Sequence, residues 1–208
     1  MKKIVCFDLG AVLVRIAHTW QEAAQIPNVS IQASIPNPWS RSSNPDLLAF
    51  EAGQISYDVF IERLAQTLGI STGEARAVQA SVLNGEYPET AAFTQEVRAS
   101  GWRVGCLSNT NPAHWAKLTD PNSYPTIAML EVRVASNEIG MAKPDQGAYL
   151  AFERIAGVTP AEVVFFDDSS PNVQAAIARG WRAFQITDLQ HPSRQMRGHL
   201  IELNIISG

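Results

Sequence analysis

Short continuous runs of apolar residues alternate along this chain with stretches whose apolar positions recur at helical spacing. Ile4-Val5-Cys6-Phe7 stops at Asp8, Val104-Gly105-Cys106-Leu107 at Ser108, and Val163-Val164-Phe165-Phe166 at Asp167-Asp168. Runs of this length and composition predict strands buried on both faces of a parallel sheet. With 131–135 and 182–186 they make five expected strands, at 4–7, 102–107, 131–135, 163–166 and 182–186. The intervals read as helices with clear punctuation. One runs from Pro88 to about Ser100 before Gly101, and Asn111-Pro112 forms an N-cap with proline at the first helical position. Residues 145–156 close at Gly157, and the helix opened by Ser170-Pro171 closes at Gly180. The fold class is therefore α/β, a doubly wound, Rossmann-like parallel sheet.

The stretch 16–86 breaks this alternation and reads as an inserted helical cap, leaving 1–15 and 87–208 as the core. Residues 19–26 predict a short helix. Ser56 caps a run with Val59, Phe60, Leu64 and Leu68 on one face, and Gly69 ends it. Ser71 and Glu74 fit a capping box that starts a further helix to about Leu83. The segment from Ile35 to Pro45 is a proline-punctuated loop, and the last 20 residues carry no pattern that assigns an element.

Composition narrows the function classes. A net charge of −4 and pI near 5.6 argue against a general nucleic-acid binder. No apolar stretch approaches the roughly 20 residues of a membrane span. Met1-Lys2-Lys3 mimics the start of a signal peptide, but Asp8 ends the following apolar run too soon, so a cytoplasmic location is expected. Cys6 and Cys106 are expected to be small buried side chains of core strands rather than a disulfide.

Ligands of open parallel sheets bind at the carboxyl ends of the strands, where Asp8, Ser108 and Asp167-Asp168 fall. With Lys143 of Met141-Ala142-Lys143-Pro144 they offer carboxylates, a hydroxyl and an ammonium, a set suited to a phosphate and a divalent cation. Asp8 is the candidate nucleophile, since a carboxylate attacking phosphorus splits hydrolysis into two displacements. The like-charge repulsion in that attack calls for a cation, and Mg²⁺ favours the carboxylate oxygens of Asp8 and Asp168. Ser108 and the backbone amide of Asn109 can donate to phosphoryl oxygens, while Lys143 neutralises developing charge. Asp167 and Asp168 would repel one another without a cation.

The segments Phe7-Asp8-Leu9-Gly10-Ala11-Val12-Leu13-Val14, Ser108-Asn109-Thr110-Asn111, Lys143-Pro144 and Phe165-Phe166-Asp167-Asp168-Ser169 resemble, in order, the four motifs of haloacid dehalogenase superfamily hydrolases. The nearest likeness is to the alpha-D-glucose-1-phosphate phosphatase-like branch, over about residues 1–187. The resemblance implies a Mg²⁺-dependent phosphatase of a small phosphorylated metabolite, such as a sugar phosphate, working through an aspartyl-phosphate. It implies the carbonyl of Gly10 as a metal ligand beside Asp8 and Asp168. It also makes Asp167 a supporting residue, and Asn172 one that orients a water where many relatives carry an acid.

Gly10 departs from the family pattern, in which a second aspartate two residues after the nucleophile acts as general acid and base. Loss of such help costs about 10²–10⁴-fold in rate. The sugar-phosphate branch shares this glycine, and an anomeric phosphate has a comparatively good leaving group. Two other readings stand beside the phosphatase: a metal-independent dehalogenase, which leaves the Asp167-Asp168 pair unexplained, and a non-catalytic phosphate-binding protein. His18, and after it His114, are candidate substitute acids. Arg15, Trp39 and Arg41 are candidate substrate contacts from the cap, where specificity is expected to reside.

Overall fold

The computed structural model describes residues 3–32 and 44–208. Its strands, in chain order, are β1 (Ile4–Phe7), β2 (Val14–Ile16), β3 (Leu83–Glu86), β4 (Arg103–Ser108), β5 (Val132–Ala135), β6 (Val163–Asp167) and β7 (Arg182–Gln185). The helices are α1 (Trp20–Gln25), α2 (Pro45–Glu51), α3 (Tyr57–Leu68), α4 (Thr72–Ala80), α5 (Thr90–Ala99), α6 (Pro112–Leu118), α7 (Pro125–Ala128), α8 (Ser136–Ile139), α9 (Gln146–Ala156), α10 (Ser170–Arg179) and α11 (Pro192–Glu202). Five strands form one parallel sheet in the order β5-β4-β1-β6-β7. All four residues of β1 are buried, as befits the central strand. The chain winds outward from β1 through β4 and β5, then crosses to β6 and β7. Strand order thus reverses beside β1, which opens a crevice at the carboxyl ends of β1, β4 and β6.

Two apolar clusters sandwich this sheet. Phe7, Phe93, Phe166, Met196 and Leu200 belong to one, and Cys6, Tyr149, Phe152, Phe165 and Trp181 to the other. A third cluster consists of residues from Ala17 to Val82, including Trp20, Phe50, Phe60 and Leu68. Ile16 packs against both this cluster and the one containing Phe7, so β2 joins the inserted segment to the sheet layer.

Local signals explain most helix ends. Ser56 Oγ accepts from Val59 N, and Gly69 adopts the left-handed conformation at the other end of α3. The Ser71–Glu74 capping box is complete. Asn111 Oδ1 accepts from His114 N ahead of Pro112. The helix expected to reach Leu83 stops at Ala80, because residues 83–86 instead pair antiparallel with β2, with Val14 opposite Glu86 and Ile16 opposite Leu83. Six elements had no expected counterpart: β2 and β3 of this hairpin-like pair, α2, the single turns α7 and α8, and the terminal helix α11. The expected contacts Trp39 and Arg41, and most of the proline-punctuated loop, lie outside the described residues.

Candidate active site

β1 delivers Asp8 to the crevice, and its backbone amide is held by Phe166 O at 2.8 Å. One strand away, β6 ends in the fully buried Asp167, with Asp168 following. Lys143, on the loop between α8 and α9, turns its buried ammonium between them, 3.0 Å from Asp8 Oδ1 and 2.6 Å from Asp167 Oδ2. The backbone of Lys143 is fixed by a reciprocal clamp: its N–H donates to Asn109 Oδ1 (2.8 Å), and Asn109 Nδ2 donates to its carbonyl (2.9 Å). The Asn109 side chain therefore positions the lysine, a task that its sequence context did not announce.

Asp167 is saturated within the protein. Oδ1 accepts from Ser169 N (2.8 Å) and Asn172 Nδ2 (3.0 Å), and Oδ2 from Lys143 Nζ and Asn172 Nδ2 (3.1 Å). Asn172 in turn accepts at its carbonyl from the buried Tyr149 hydroxyl (2.8 Å). Asn172 thus braces Asp167 directly.

One carboxylate oxygen each from Asp8, Asp167 and Asp168 lies within 4.8 Å of the others, the arrangement of a possible cation site among the described residues. Three carboxylates face one ammonium. Burial pushes the Asp8 carboxyl up to about 7, with the charges of Asp167 and Asp168 adding to the rise and Lys143 opposing it. Asp168 is raised to about 6, first by burial and then by Asp167. Burial pulls the Lys143 ammonium down, yet Asp167 and Asp8 outweigh it, and the net shift is upward. The acidic excess is what a divalent cation would relieve, and an all-oxygen donor set suits a hard ion such as Mg²⁺.

Asp8, Gly10, Ser108, Asn109, Lys143, Asp168 and Asn172 all line one cleft of about 440 Å³, together with His18 and His114. His18 is close enough for its charge to bear on Asp168. His114 is not available as an acid at neutral pH: burial lowers its pKa to about 4, which leaves the ring unprotonated there, and its Nε2 lies 2.8 Å from Gln79 O. It ties α6 to α4 instead. Arg15 does not line the cleft, because strand alternation turns Val14 and Ile16 inward and leaves Arg15 exposed. Glycine at residue 10 is not required by the backbone, since the left-handed residue of this turn is Ala11 (φ 59°). Cys6 and Cys106 are buried, free thiols; burial raises both, Cys106 to about 12.

Comparison with known proteins matches residues 2–180 to a haloacid dehalogenase-like hydrolase family. A phosphatase of Mycobacterium tuberculosis is 34% identical over 104 residues, covering 48% of this chain and 46% of that protein, so this match spans under half of the relative's length. A sesquiterpene phosphatase of Aspergillus oryzae is 26% identical over 188 residues, covering 89% of this chain and 90% of its own. Among solved structures, an enzyme of this family from Bacteroides thetaiotaomicron, in complex with magnesium and inorganic phosphate, superposes with a TM-score of 0.73. Identity is 26%, over 89% of this chain and 94% of that one. The L-2-haloacid dehalogenase of Xanthobacter autotrophicus shares the fold, with a TM-score of 0.65 at 21% identity, over 95% of this chain and 84% of its own.

Proposed function

The chain belongs to the haloacid dehalogenase-like hydrolase family, and from that premise we propose a Mg²⁺-dependent phosphatase that cleaves a small phosphorylated metabolite through an aspartyl-phosphate. The observation that carries this reading is the acidic cluster of Asp8, Asp167 and Asp168 around Lys143 at the mouth of β1 and β6. A dehalogenase acting at carbon has no use for that excess of carboxylates. The two relatives named as phosphatases, and the neighbour holding magnesium and inorganic phosphate, support the same reading.

An oxygen of Asp8 attacks phosphorus while the ester P–O bond breaks, and the leaving oxygen takes a proton from water or from His18. Water then attacks the aspartyl-phosphate, releasing inorganic phosphate and restoring Asp8. Asp8, Asp168 and the carbonyl of Gly10 would hold Mg²⁺, whose charge offsets repulsion between carboxylate and phosphate. The Ser108 hydroxyl, the Asn109 amide and Lys143 receive the phosphoryl oxygens. Asp167 holds Lys143 in place, and Asn172 braces Asp167. Residues 16–86 act as the cap and the remainder as the catalytic core. A sugar phosphate is the metabolite proposed by the glucose-1-phosphate branch, whose anomeric oxygen leaves without a strong acid. The free thiols fit a reducing cytoplasm.

Asp8→Asn and Asp168→Ala should each abolish phosphate release from an aryl phosphate, and EDTA should do so reversibly. Undiminished turnover in either variant would defeat the assignment. Gly10 favours a second reading, a phosphate-binding protein without turnover. Tight Mg²⁺-dependent anion binding with no release from any ester would select it.

A further inference from the structure

The cleft has two unlike kinds of lining. One is the polar floor around Asp8, Lys143 and Asp168; the other is formed by Val14 and Ile16 of β2, Leu83 of β3, Leu47 and Leu48 of α2, and Val82 after α4. Among the described residues, the polar side chains on the inserted segment's side are few: His18, Asn44 and Glu51. Asn44 Oδ1 already accepts from Leu47 N at 2.9 Å, as the cap of α2. The space over residue 10 is hydrocarbon too. A β-carbon placed there would meet Ile16 Cδ1 at 3.1 Å and Cγ2 at 3.7 Å. Apolar side chains therefore border the flank of Asp8 on which residue 10 lies.

A hexose brings several hydroxyls, and each one buried without a partner lowers affinity by roughly five- to a hundredfold. A hydrocarbon gains from the same wall. We infer that the alcohol part of the substrate is mainly hydrocarbon, so that the cleft takes an aliphatic or aromatic phosphate monoester in preference to a sugar phosphate. The inference rests on the phosphatase reading for its chemistry and, within it, puts a hydrocarbon ester in place of the sugar phosphate.

Binding and turnover separate the two ideas. Calorimetry with Mg²⁺ and the non-hydrolysable ethyl, butyl, hexyl and octyl phosphonates should show affinity rising about two- to fourfold per methylene, levelling off once the cleft is full. Glucose 6-phosphate should bind more weakly than hexyl phosphonate. Leu48→Gln and Ile16→Thr should each flatten the chain-length slope. A flat series in the parent protein, tighter binding of glucose 6-phosphate, or a slope untouched by both variants would overturn the inference. If the slope appears but neither hexyl nor 4-nitrophenyl phosphate releases phosphate, the inference stands and the phosphatase reading falls. Hydrolysis of both esters with a flat slope would mean the reverse.

Discussion

Lys143 balances the site more than any other side chain, because the buried Asp167 and the partly buried Asp8 lean on its one charge. Replacing one partner of a buried pair leaves the other uncompensated, at a cost of about 3–5 kcal/mol. Lys143→Met should therefore lower the urea midpoint of unfolding markedly. Mg²⁺ should recover part of the loss, since a ligand of the folded state stabilises it. An unchanged midpoint would contradict this role of Lys143. Gly10 poses the opposite question. Its backbone is not left-handed, and a β-carbon would press only on the far end of the Ile16 side chain. Gly10→Asp should thus fold with little strain. If a missing acid limits the rate, turnover of alkyl phosphates should rise by about tenfold or more, with a smaller gain for aryl phosphates. Equal gains for both would point away from leaving-group protonation.

Between elements, the inserted segment meets the sheet layer through a few buried polar contacts. Ser136 at the start of α8 accepts from Thr110 N (3.0 Å) and lies 2.6 Å from Glu51 O at the end of α2. His114 of α6 meets Gln79 O of α4 at 2.8 Å. Burial of His114 makes this junction pH-sensitive, with the bond to Gln79 O opposing the shift. The folded protein keeps His114 neutral down to about 4, while in the unfolded chain it takes up a proton below about 6.5. Its contribution is complete above about pH 6.5 and is lost as pH falls toward 4, amounting to about 3 kcal/mol. Chemical denaturation of the parent and of His114→Gln at pH 7 and pH 4.5 should show a smaller acid loss in the variant. Parallel losses would place the titrating group elsewhere.

At the scale of the molecule, the acidic cluster would couple proton uptake to binding of the proposed cation. Asp8 is raised to about 7 and Asp168 to about 6, so at pH values near or below these each carboxyl holds a proton that a bound cation would displace. Affinity for Mg²⁺ should therefore fall as pH drops from 7 to 6. More protons should be released on binding at pH 6 than at pH 8, as counted by calorimetry in buffers of different ionisation enthalpy. In the metal-free protein the sign for stability is reversed relative to His114. A raised carboxyl favours the folded state as pH falls from about 7 toward 4, so the two carboxyls partly offset the histidine. Equal proton release at both pH values would contradict this coupling.

Buried parallel strands and capped helices are written locally, which is why the sequence by itself placed Asp8, Ser108 and Asp167 at strand ends on one edge of an α/β sheet. A continuous apolar run marks β1 wherever it sits, and Ser71 with Glu74 marks the start of α4 from four residues alone. Pairing across distance leaves no such mark. The helix of α4 reads on to about Leu83, and β3 has no signal of its own, because Leu83–Glu86 gains its extended form only from β2, some 70 residues earlier in the chain. The terminal helix α11 buries chiefly Pro192, Ser193, Met196 and Leu200 among polar residues, a pattern too sparse to signal itself, and Arg197 anchors it to Glu96 of α5. The roles of Asn109 and Asn172, the exclusion of Arg15 from the cleft, and the hydrocarbon wall over Gly10 were likewise decided by tertiary structure alone. Each depends on which side chains from distant segments meet, and that is set by packing rather than by any residue's neighbours in the chain.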